Sequence, residues 1–442
     1  LHSFSHGIHP DDCKSLTADK PIRRFPFAPY YVVHLAQNIG APARCVVIEG
    51  QNVQRGQLIA KPDGFVSVPV HAPVSGKVRA ITNSLDFNGV PTPSVIIEPN
   101  PASGQEVALI HETNPDAMSP DQIVQAIQDM GMVGLGGAAF PTHVKLKPPK
   151  GKSIETIILN GAECEPYLTS DYRVMVEQSD NIIAGAKLLL RAVAARELII
   201  AIEDNKPEAI ATMSKACAGQ SDIRVEVFKT KYPQGAEKML VSALLKKEVP
   251  SGGLPADIGV MISNIATAAE IGNLLPLGMG LIERVVTVSG SGISNPGNYL
   301  IPIGTPLDFI LKTLGTTGPA YKVIFGGPMM GKAVSFLKSP VTKGTSGILV
   351  MASEIALPEK SWPCINCGAC VQACPMQLIP SQLGRHARAG EYQQMAQNFN
   401  LMDCFECGCC SYVCPSNIPL VQQFRLSKKV LRERIPREVP SV

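Results

Sequence analysis

Short apolar runs broken by glycine and proline dominate the first hundred or so residues. Cys45–Ile48, Gln57–Ala60, Phe65–Val68, Lys77–Ile81 and Ser94–Ile97 each have strand length and strand chemistry, and turns separate them. The pattern changes at Ser119. Serine is a good N-cap, Pro120 suits the first helical position, and Gln122 completes a capping box ahead of Ile123, Ile127 and Met130 at helical spacing. From about residue 155 strands and helices alternate: Thr156–Leu159, then Asn181–Ala194, Leu198–Ile202, Lys206–Cys217, Val225–Phe228 and Ala236–Leu245. Such alternation predicts a layered, parallel sheet. After 284 the pattern returns to β, with strands at Val285–Ser289 and Val323–Phe325, a turn at Ser294–Asn298, and a short helix from Thr305-Pro306 to Leu314, a small β-grasp-like unit. Helical segments at Ser381–Gln397 and Leu420–Glu433 close the chain.

The longest nearly uncharged stretch, Ile258–Ile282, carries Glu270 at its middle with Asn264, Asn273 and Pro276 around it. Spanning a bilayer needs ~20 apolar residues, so this stretch reads as buried strand and helix. No signal peptide is visible. With 442 residues, about three or four domains are expected. A net charge of +3 brings no argument for nucleic acid. The basic residues Lys428, Lys429, Arg432 and Arg434 suit either a solvated helix face or docking to a partner or an anionic membrane surface.

Cysteine positions change the picture most. Nine of the 13 lie between 364 and 414, and the others (Cys13, Cys45, Cys164, Cys217) are scattered. Cysteines gathered at metal-ligand spacing indicate a reducing compartment rather than a disulfide framework. The runs are Cys364-x2-Cys367-x2-Cys370-x3-Cys374-Pro375 and Cys404-x2-Cys407-x2-Cys410-x3-Cys414-Pro415. This is the spacing of a two-cluster ferredoxin, in which the fourth thiolate of each [4Fe-4S] cluster comes from the other run. The expected sets are Cys364, Cys367, Cys370 with Cys414, and Cys404, Cys407, Cys410 with Cys374. Cys409 would give gaps that fit the loop worse and is taken as a bystander. Structural zinc prefers two separated pairs or added histidine, and neither occurs here.

A second candidate site begins at Gly131-Met-Val-Gly-Leu-Gly-Gly-Ala-Ala-Phe-Pro-Thr-His-Val-Lys145. Glycines let backbone N–H groups approach a phosphate, and a nearby lysine adds charge; the same composition also makes a tight packing turn. Strand 156–159 ends in Asn160-Gly-Ala-Glu-Cys-Glu-Pro166, at the strand end where open α/β sheets bind ligands. Tyr232-Pro-Gln-Gly-Ala-Glu237 and Ser263-Asn-Ile-Ala-Thr267 add further polar loops. Cys164 reads as a buried thiol.

In this order the loops resemble the flavin subunit of respiratory complex I, with its Gly-x-Gly-Gly-x-Gly-Phe-Pro-Thr, Asn-x-x-Glu-x-Glu-Pro, Tyr-x-x-Gly-x-Glu and Asn-x-x-Thr segments. That resemblance implies FMN lined by Gly134, Gly136, Gly137, Lys145, Asn160, Glu163, Tyr232, Gly235, Asn264 and Thr267. It sets Phe140, Glu165 and Glu237 toward NAD(H). Ala139, Ala162 and Ala236 depart from the family pattern. Adding Gly7-Ile-His-Pro10, Ile39-Gly-Ala-Pro42, Val70-His-Ala-Pro-Val-Ser-Gly76, Asn160 through Asp171, Phe325-Gly-Gly-Pro-Met-Met-Gly331 and the cysteine runs, nearly the whole chain is similar to the RnfC component of the Rnf (Rsx) electron-transport complex.

The fold so implied is multidomain α/β and β. It comprises a barrel-sandwich hybrid at 1–110, a Rossmann-like complex-I-type FMN/NADH domain at 111–283, a β-grasp, SLBB-like domain at 284–355 and an α-helical two-[4Fe-4S] ferredoxin-like domain at 356–442. The segments Glu49–Gly56 and His71–Gly76 look like paired turns of a biotinyl/lipoyl sandwich. Pro62 follows Lys61 and no carrier tip is present, so the module reads as a scaffold.

The resemblance also implies electron flow from reduced ferredoxin through the ferredoxin-like RnfB component to the clusters, FMN and NAD+, with membrane subunits moving Na+ or H+. It places the chain peripherally at the cytoplasmic face of the bacterial inner membrane. A flavin exchanges hydride with nicotinamide and single electrons with clusters, and no acid/base pair is expected. A cobalamin reductase, or a cluster-bearing scaffold without flavin, are the alternatives.

Overall fold

The computed structural model describes residues 1–109, 114–318, 320–352 and 360–434. The boundaries expected at 110/111 and 355/356 lie outside the described residues. The chain divides into a larger unit, Asp12–Phe228 with Pro255–Ala356, and a smaller one, Leu1–Asp11 with Lys229–Leu254 and Leu357–Val442.

In the larger unit the N-terminal module is two small antiparallel sheets. One orders Tyr31–His34, Pro91–Pro99, Gly76–Leu85 and Asn52–Val53, and the other orders Arg44–Cys45, Leu58–Lys61 and Val70–His71. Val33, Ile59, Val74, Val78, Val95 and Ile97 fill the space between them. Alternation along Pro91–Pro99 puts Val95 and Ile97 inward while Glu98 stays outside, as half-buried strands require. The expected run Phe65–Val68 is not a strand; the pairing residues are Val70 and His71.

The α/β layer has four parallel strands. Glu197–Glu203 and Thr156–Gly161 are central, flanked by Ile223–Phe228 and Val260–Asn264 respectively. Its two central strands are rich in buried isoleucine and leucine, as expected when both faces are covered, whereas the edge strand Ile223–Phe228 alternates with Arg224 and Glu226. Helix Pro120–Asp129 carries the expected capping box, with Ser119 and Gln122 each bonded to the other's backbone. The uncharged stretch resolves into strand Val260–Asn264 and helix Ile265–Leu274. Glu270 is buried there, and burial pushes its carboxyl up to about 7. Among the described residues no helix is long and apolar enough to cross a membrane.

Helices Ser179–Val193 and Ile265–Leu274 touch at two glycines. A Cβ on Gly185 would lie 1.8 Å from the Ala268 carbonyl oxygen, and one on Gly272 would lie 2.0 Å from the Asn181 oxygen. Both obstacles are backbone, so neither can swing away. Gly185→Ala is therefore expected to destabilise the larger unit by ~1–3 kcal/mol, the usual cost of overpacking. A denaturant midpoint unchanged from wild type would contradict this contact.

A six-stranded mixed sheet follows: Ile22–Arg24, Gly297–Pro302, Glu283–Ser289, Gly347–Ala352, Ala320–Phe325 and Lys332–Ala333, in that order. Helix Leu307–Leu314 buries Leu307, Ile310, Leu311 and Leu314 in the same core.

The smaller unit is mostly helical around Cys374, Leu378, Leu383, Met395, Leu401, Ile418, Leu420 and Phe424. Residues 1–11 and 229–254 join it through the antiparallel bridge Ile8–Tyr232 and the Gly7 N–H to Ala373 O bond of 3.2 Å. The segment expected as one helix at Ser381–Gln397 is two, Pro380–Ala389 and Tyr392–Asn398. Gly390, in the left-handed region at φ 72°, ends the first, a conformation glycine adopts without steric cost.

Candidate flavin and iron–sulfur sites

In the larger unit the glycine-rich loop runs from Gly131 to Pro141 and closes on itself, with a bridge between Val133 and Pro141 and a 2.8 Å bond from the Gly134 N–H to Phe140 O. The Leu135 N–H donates to Thr267 Oγ1 at 2.9 Å. Gly136 faces Asn264, and a Cβ there would come within 3.3 Å of the asparagine Cβ. Gly137, at φ 108°, has open space around it. A loop that is exposed, glycine-lined and pinned at its base suits a phosphate-bearing group. Lys145 leaves the loop in helix Thr142–Lys145 and donates from Nζ to Ile262 O at 3.0 Å.

Strand register gathers the next loops. Asn160 and Asn264 are direct partners on adjacent parallel strands. Asn160 Oδ1 accepts from the Ala162 N–H, and Asn264 Oδ1 accepts from Ala266 and Thr267, capping helix Ile265–Leu274. Asn264 Nδ2 donates to Asp171 at 2.6 Å. Burial, then the neighbouring Glu163 charge, raises the Asp171 carboxyl to about 7. Thus Gly134, Gly136, Gly137, Asn160, Asn264 and Thr267 come together at the C-terminal edge of the sheet.

Two of the three expected acidic contacts, Glu163 and Glu165, bond to backbone N–H groups. Glu163 accepts from the N–H groups of Asp171 (2.7 Å) and Tyr172 (3.2 Å), capping helix Ser170–Glu177. Lys14 lies 4.0 Å from it and donates to the carbonyls of Glu163, Glu165 and Leu168. Glu165 accepts from Met329 N–H at 3.0 Å and Met330 N–H at 2.7 Å, in the Phe325–Gly331 segment. A Cβ on Gly327 would sit 2.2 Å from Glu165 Oε2, so that turn needs glycine to receive the carboxylate. Phe140 is half-buried.

Two buried cations carry no motif signal. Lys343, fully buried, donates from Nζ to Gly131 O at 2.7 Å and to Pro69 O at 2.8 Å. Arg284 donates to Leu135 O at 3.0 Å and to Lys343 O. Together they hold the glycine loop by its carbonyls. A lone arginine in a strand and a lone lysine in a turn do not announce this; only the topology brings them there.

In the smaller unit Tyr232 is buried and donates its hydroxyl to Cys407 O at 2.7 Å, Gly235 is half-buried, and Glu237 opens helix Glu237–Leu245 and is exposed. Cys364, Cys367, Cys370 and Cys414 line one cavity of about 100 Å³ with Ser381, Gly384 and Arg388. The four thiols, three from the first run and one from the second, border this common volume. Burial, then the charges of Cys367, Cys414 and Cys364, raises Cys370. Cys374 is raised by burial and by Cys407 and Cys370, while Cys404 is pushed up to about 11 by burial, with Cys407 and Cys374 adding to it. Thiols that oppose one another's ionisation this way are those a multi-iron cation would satisfy. Cys409 is fully buried and shares a hydrogen bond with Cys407.

The basic stripe at the last helix is only partly a solvated face. Lys428 is buried, donating to Cys404 O and lying 3.2 Å from Glu406, while Lys429 is exposed beside Glu433. The side chain of Arg434 lies outside the described residues.

Comparison with protein families agrees with this layout. Residues 2–102 match the RnfC barrel sandwich hybrid domain, 127–273 the Nuo51 FMN-binding domain, 285–333 the SLBB domain and 363–418 the 4Fe-4S dicluster domain. These are the parts of a flavin and iron–sulfur electron-transfer protein. The chain is 44% identical over 445 residues to the C component of the proton-translocating ferredoxin:NAD(+) oxidoreductase complex of Clostridium ljungdahlii, covering 99% of this chain and 96% of that one. It is 41% identical over 429 residues to the C component of the Na(+)-translocating counterpart in Acetobacterium woodii, covering 97% and 96%. It is also 41% identical over 440 residues to the C component of the ion-translocating oxidoreductase complex of Pseudomonas aeruginosa, covering 98% of this chain and 56% of that one. The chain belongs to the RnfC family, the C components of the ion-translocating ferredoxin:NAD+ oxidoreductase (Rnf) complexes.

Proposed function

We propose that this chain is the electron-transfer component of a ferredoxin:NAD+ oxidoreductase complex, carrying FMN and two [4Fe-4S] clusters and exchanging electrons with NAD(H). Its partners are the ferredoxin-like RnfB component and the membrane subunits, which couple the reaction to Na+ or H+ movement. We place it peripherally, on the cytoplasmic face of the membrane. The observation that carries the reading is the ring of four thiols, drawn from both cysteine runs, in a chain that also gathers flavin-type loops at one sheet edge.

FMN supplies the exchange between hydride and single-electron chemistry. The chain's residues supply placement. The exposed backbone of Gly136 and Gly137 receives the phosphate end, with Lys145 adding charge. Asn160, Asn264 and Thr267 orient the ring by hydrogen bonds, and Phe140 borders the nucleotide. Glu163 and Glu165 act at one remove, holding the 163–171 loop and the Phe325–Gly331 turn in place. Tyr232 and Gly235 are assigned to flavin binding, and Glu237 to nicotinamide-nucleotide binding, on the family resemblance alone. Cys364, Cys367, Cys370 and Cys414 hold one cluster, and Cys404, Cys407, Cys410 and Cys374 hold the other.

The test is a cofactor inventory on anaerobically purified protein: iron, acid-labile sulfide and FMN per chain, with NADH bleaching the flavin band. Clusters without extractable FMN would support the carrier scaffold instead. Lys145→Ala is expected to weaken FMN retention roughly 10–100-fold, the worth of one charge-assisted hydrogen bond. Iron content should not change. Loss of iron in that variant would show that Lys145 acts on the fold.

A further inference from the structure

The two cysteine runs form an internal repeat, and its two halves are dressed differently. Cys364-Ile-Asn-Cys367-Gly corresponds to Cys404-Phe-Glu-Cys407-Gly. The backbone is alike in both loops: Asn366 and Glu406 have φ of 59° and 64°, and Gly368 and Gly408 have 79° and 84°. Amide dipoles therefore act similarly on either site. The helix after each run presents two cations at equivalent positions, Arg385 and Arg388 in Pro380–Ala389, and Arg425 and Lys428 in Leu420–Arg434.

The side chains they meet are not equivalent. Arg385 donates to the neutral Asn366, and Arg388 lines the thiol-ringed cavity. Arg425 and Lys428 both pair with the Glu406 carboxylate, each at 3.2 Å. One site thus has two cations facing no carboxylate in its loop, whereas the other has two cations offset by one anion. Burial differs in the same sense. Cys367 is exposed and Cys364, Cys370 and Cys414 are half-buried, whereas Cys407, Cys410 and Cys374 are buried and only Cys404 is half-buried.

Adding an electron makes a cluster more negative. Nearby cations and water favour that state; a carboxylate and a dry surrounding oppose it. We infer that the site of Cys364, Cys367, Cys370 and Cys414 has the higher reduction potential of the two, and that Glu406 against Asn366 is a principal determinant of the gap. Glu406 is then a tuning residue, and electrons shared between the sites rest on the exposed one. This inference rests on the two-cluster reading of the proposed function.

The experiment is a potentiometric titration of the anaerobic full-length protein followed by electron paramagnetic resonance, with iron and sulfide measured on the same sample. Wild type should show two reduction steps. Glu406→Gln, which keeps hydrogen-bonding capacity but removes the charge, should raise the lower step by on the order of tenfold in the reduction equilibrium, about 59 mV for one electron. Asn366→Asp, at an exposed position, should lower the upper step by a similar factor. Coincident steps in wild type, or a Glu406→Gln effect confined to the upper step, would overturn the inference while leaving the clusters in place. If Glu406→Gln loses a cluster, Asn366→Asp decides: a shift of the lower step there overturns the assignment. Protein without iron would defeat the underlying reading instead.

Discussion

Serine in place of Cys414 is expected to remove the cluster of the first cysteine run while sparing that of the run in which the mutation lies. Cys414 follows Cys404, Cys407 and Cys410 in sequence, yet it lines the same cavity as Cys364, Cys367 and Cys370. Cys370 is raised partly by the charge of Cys414, which records their proximity. Serine leaves three thiolates and a hydroxyl with a far higher pKa, too weak a ligand for the fourth iron. Iron and acid-labile sulfide should fall by about half, one of two clusters. Cys374→Ser should have the mirror effect, since Cys374 neighbours Cys407 and the charge of Cys404 is influenced by it. Retention of both clusters in Cys414→Ser, or loss of only the second-run cluster, would refute crossed ligation.

Lys343→Met is expected to be the most damaging substitution away from the cysteines. It strips hydrogen bonds from two buried carbonyls, Gly131 O and Pro69 O, at ~1–3 kcal/mol each. The size should depend on pH. Burial lowers the Lys343 ammonium from 10.5 to about 7. Between about pH 7 and 10.5 the folded state therefore binds fewer protons than the unfolded state, and stability contributed by this group rises with pH. Below pH 7 the charged ammonium bears its desolvation cost in full, and methionine, which carries no charge, loses least by comparison. The neutral amine keeps two N–H donors, enough for both carbonyls. The difference in unfolding free energy between wild type and variant should grow by a few kcal/mol from pH 6.5 to pH 10. A pH-independent difference would show that the amine does not titrate in the folded protein. FMN retention should fall as well, because the same amine holds the start of the glycine loop.

Some of this was legible along the chain. The capping box at Ser119 and Gln122, the strands and helices from Thr156 to Phe228 and the strand–helix pair hidden in Ile258–Ile282 are local, set by residues within one or two turns of each other. The cysteine spacing belongs to the same kind, because a loop of three thiols at fixed gaps is a local geometry. By contrast, Glu163 and Glu165 look like ligands in the sequence and are found bonded to backbone N–H groups of helix Ser170–Glu177 and of the Met329-Met330 turn. A carboxylate is equally suited to a cofactor or to an amide, and its partner is a matter of folding.

The sequence by itself determined the chemistry: eight thiols at ferredoxin spacing, a glycine loop, and strands ending in asparagine and glutamate. These depend on residue type and short-range spacing, which the covalent chain carries directly. Only the tertiary structure decided that Lys343 and Arg284 grip the glycine loop and that Lys428 turns inward to Glu406. It also decided that residues 1–11 and 229–254 pack with the C-terminal helices. Those pairings join residues far apart in the chain, and burying a charge or a carbonyl is tolerable only where the fold delivers its partner.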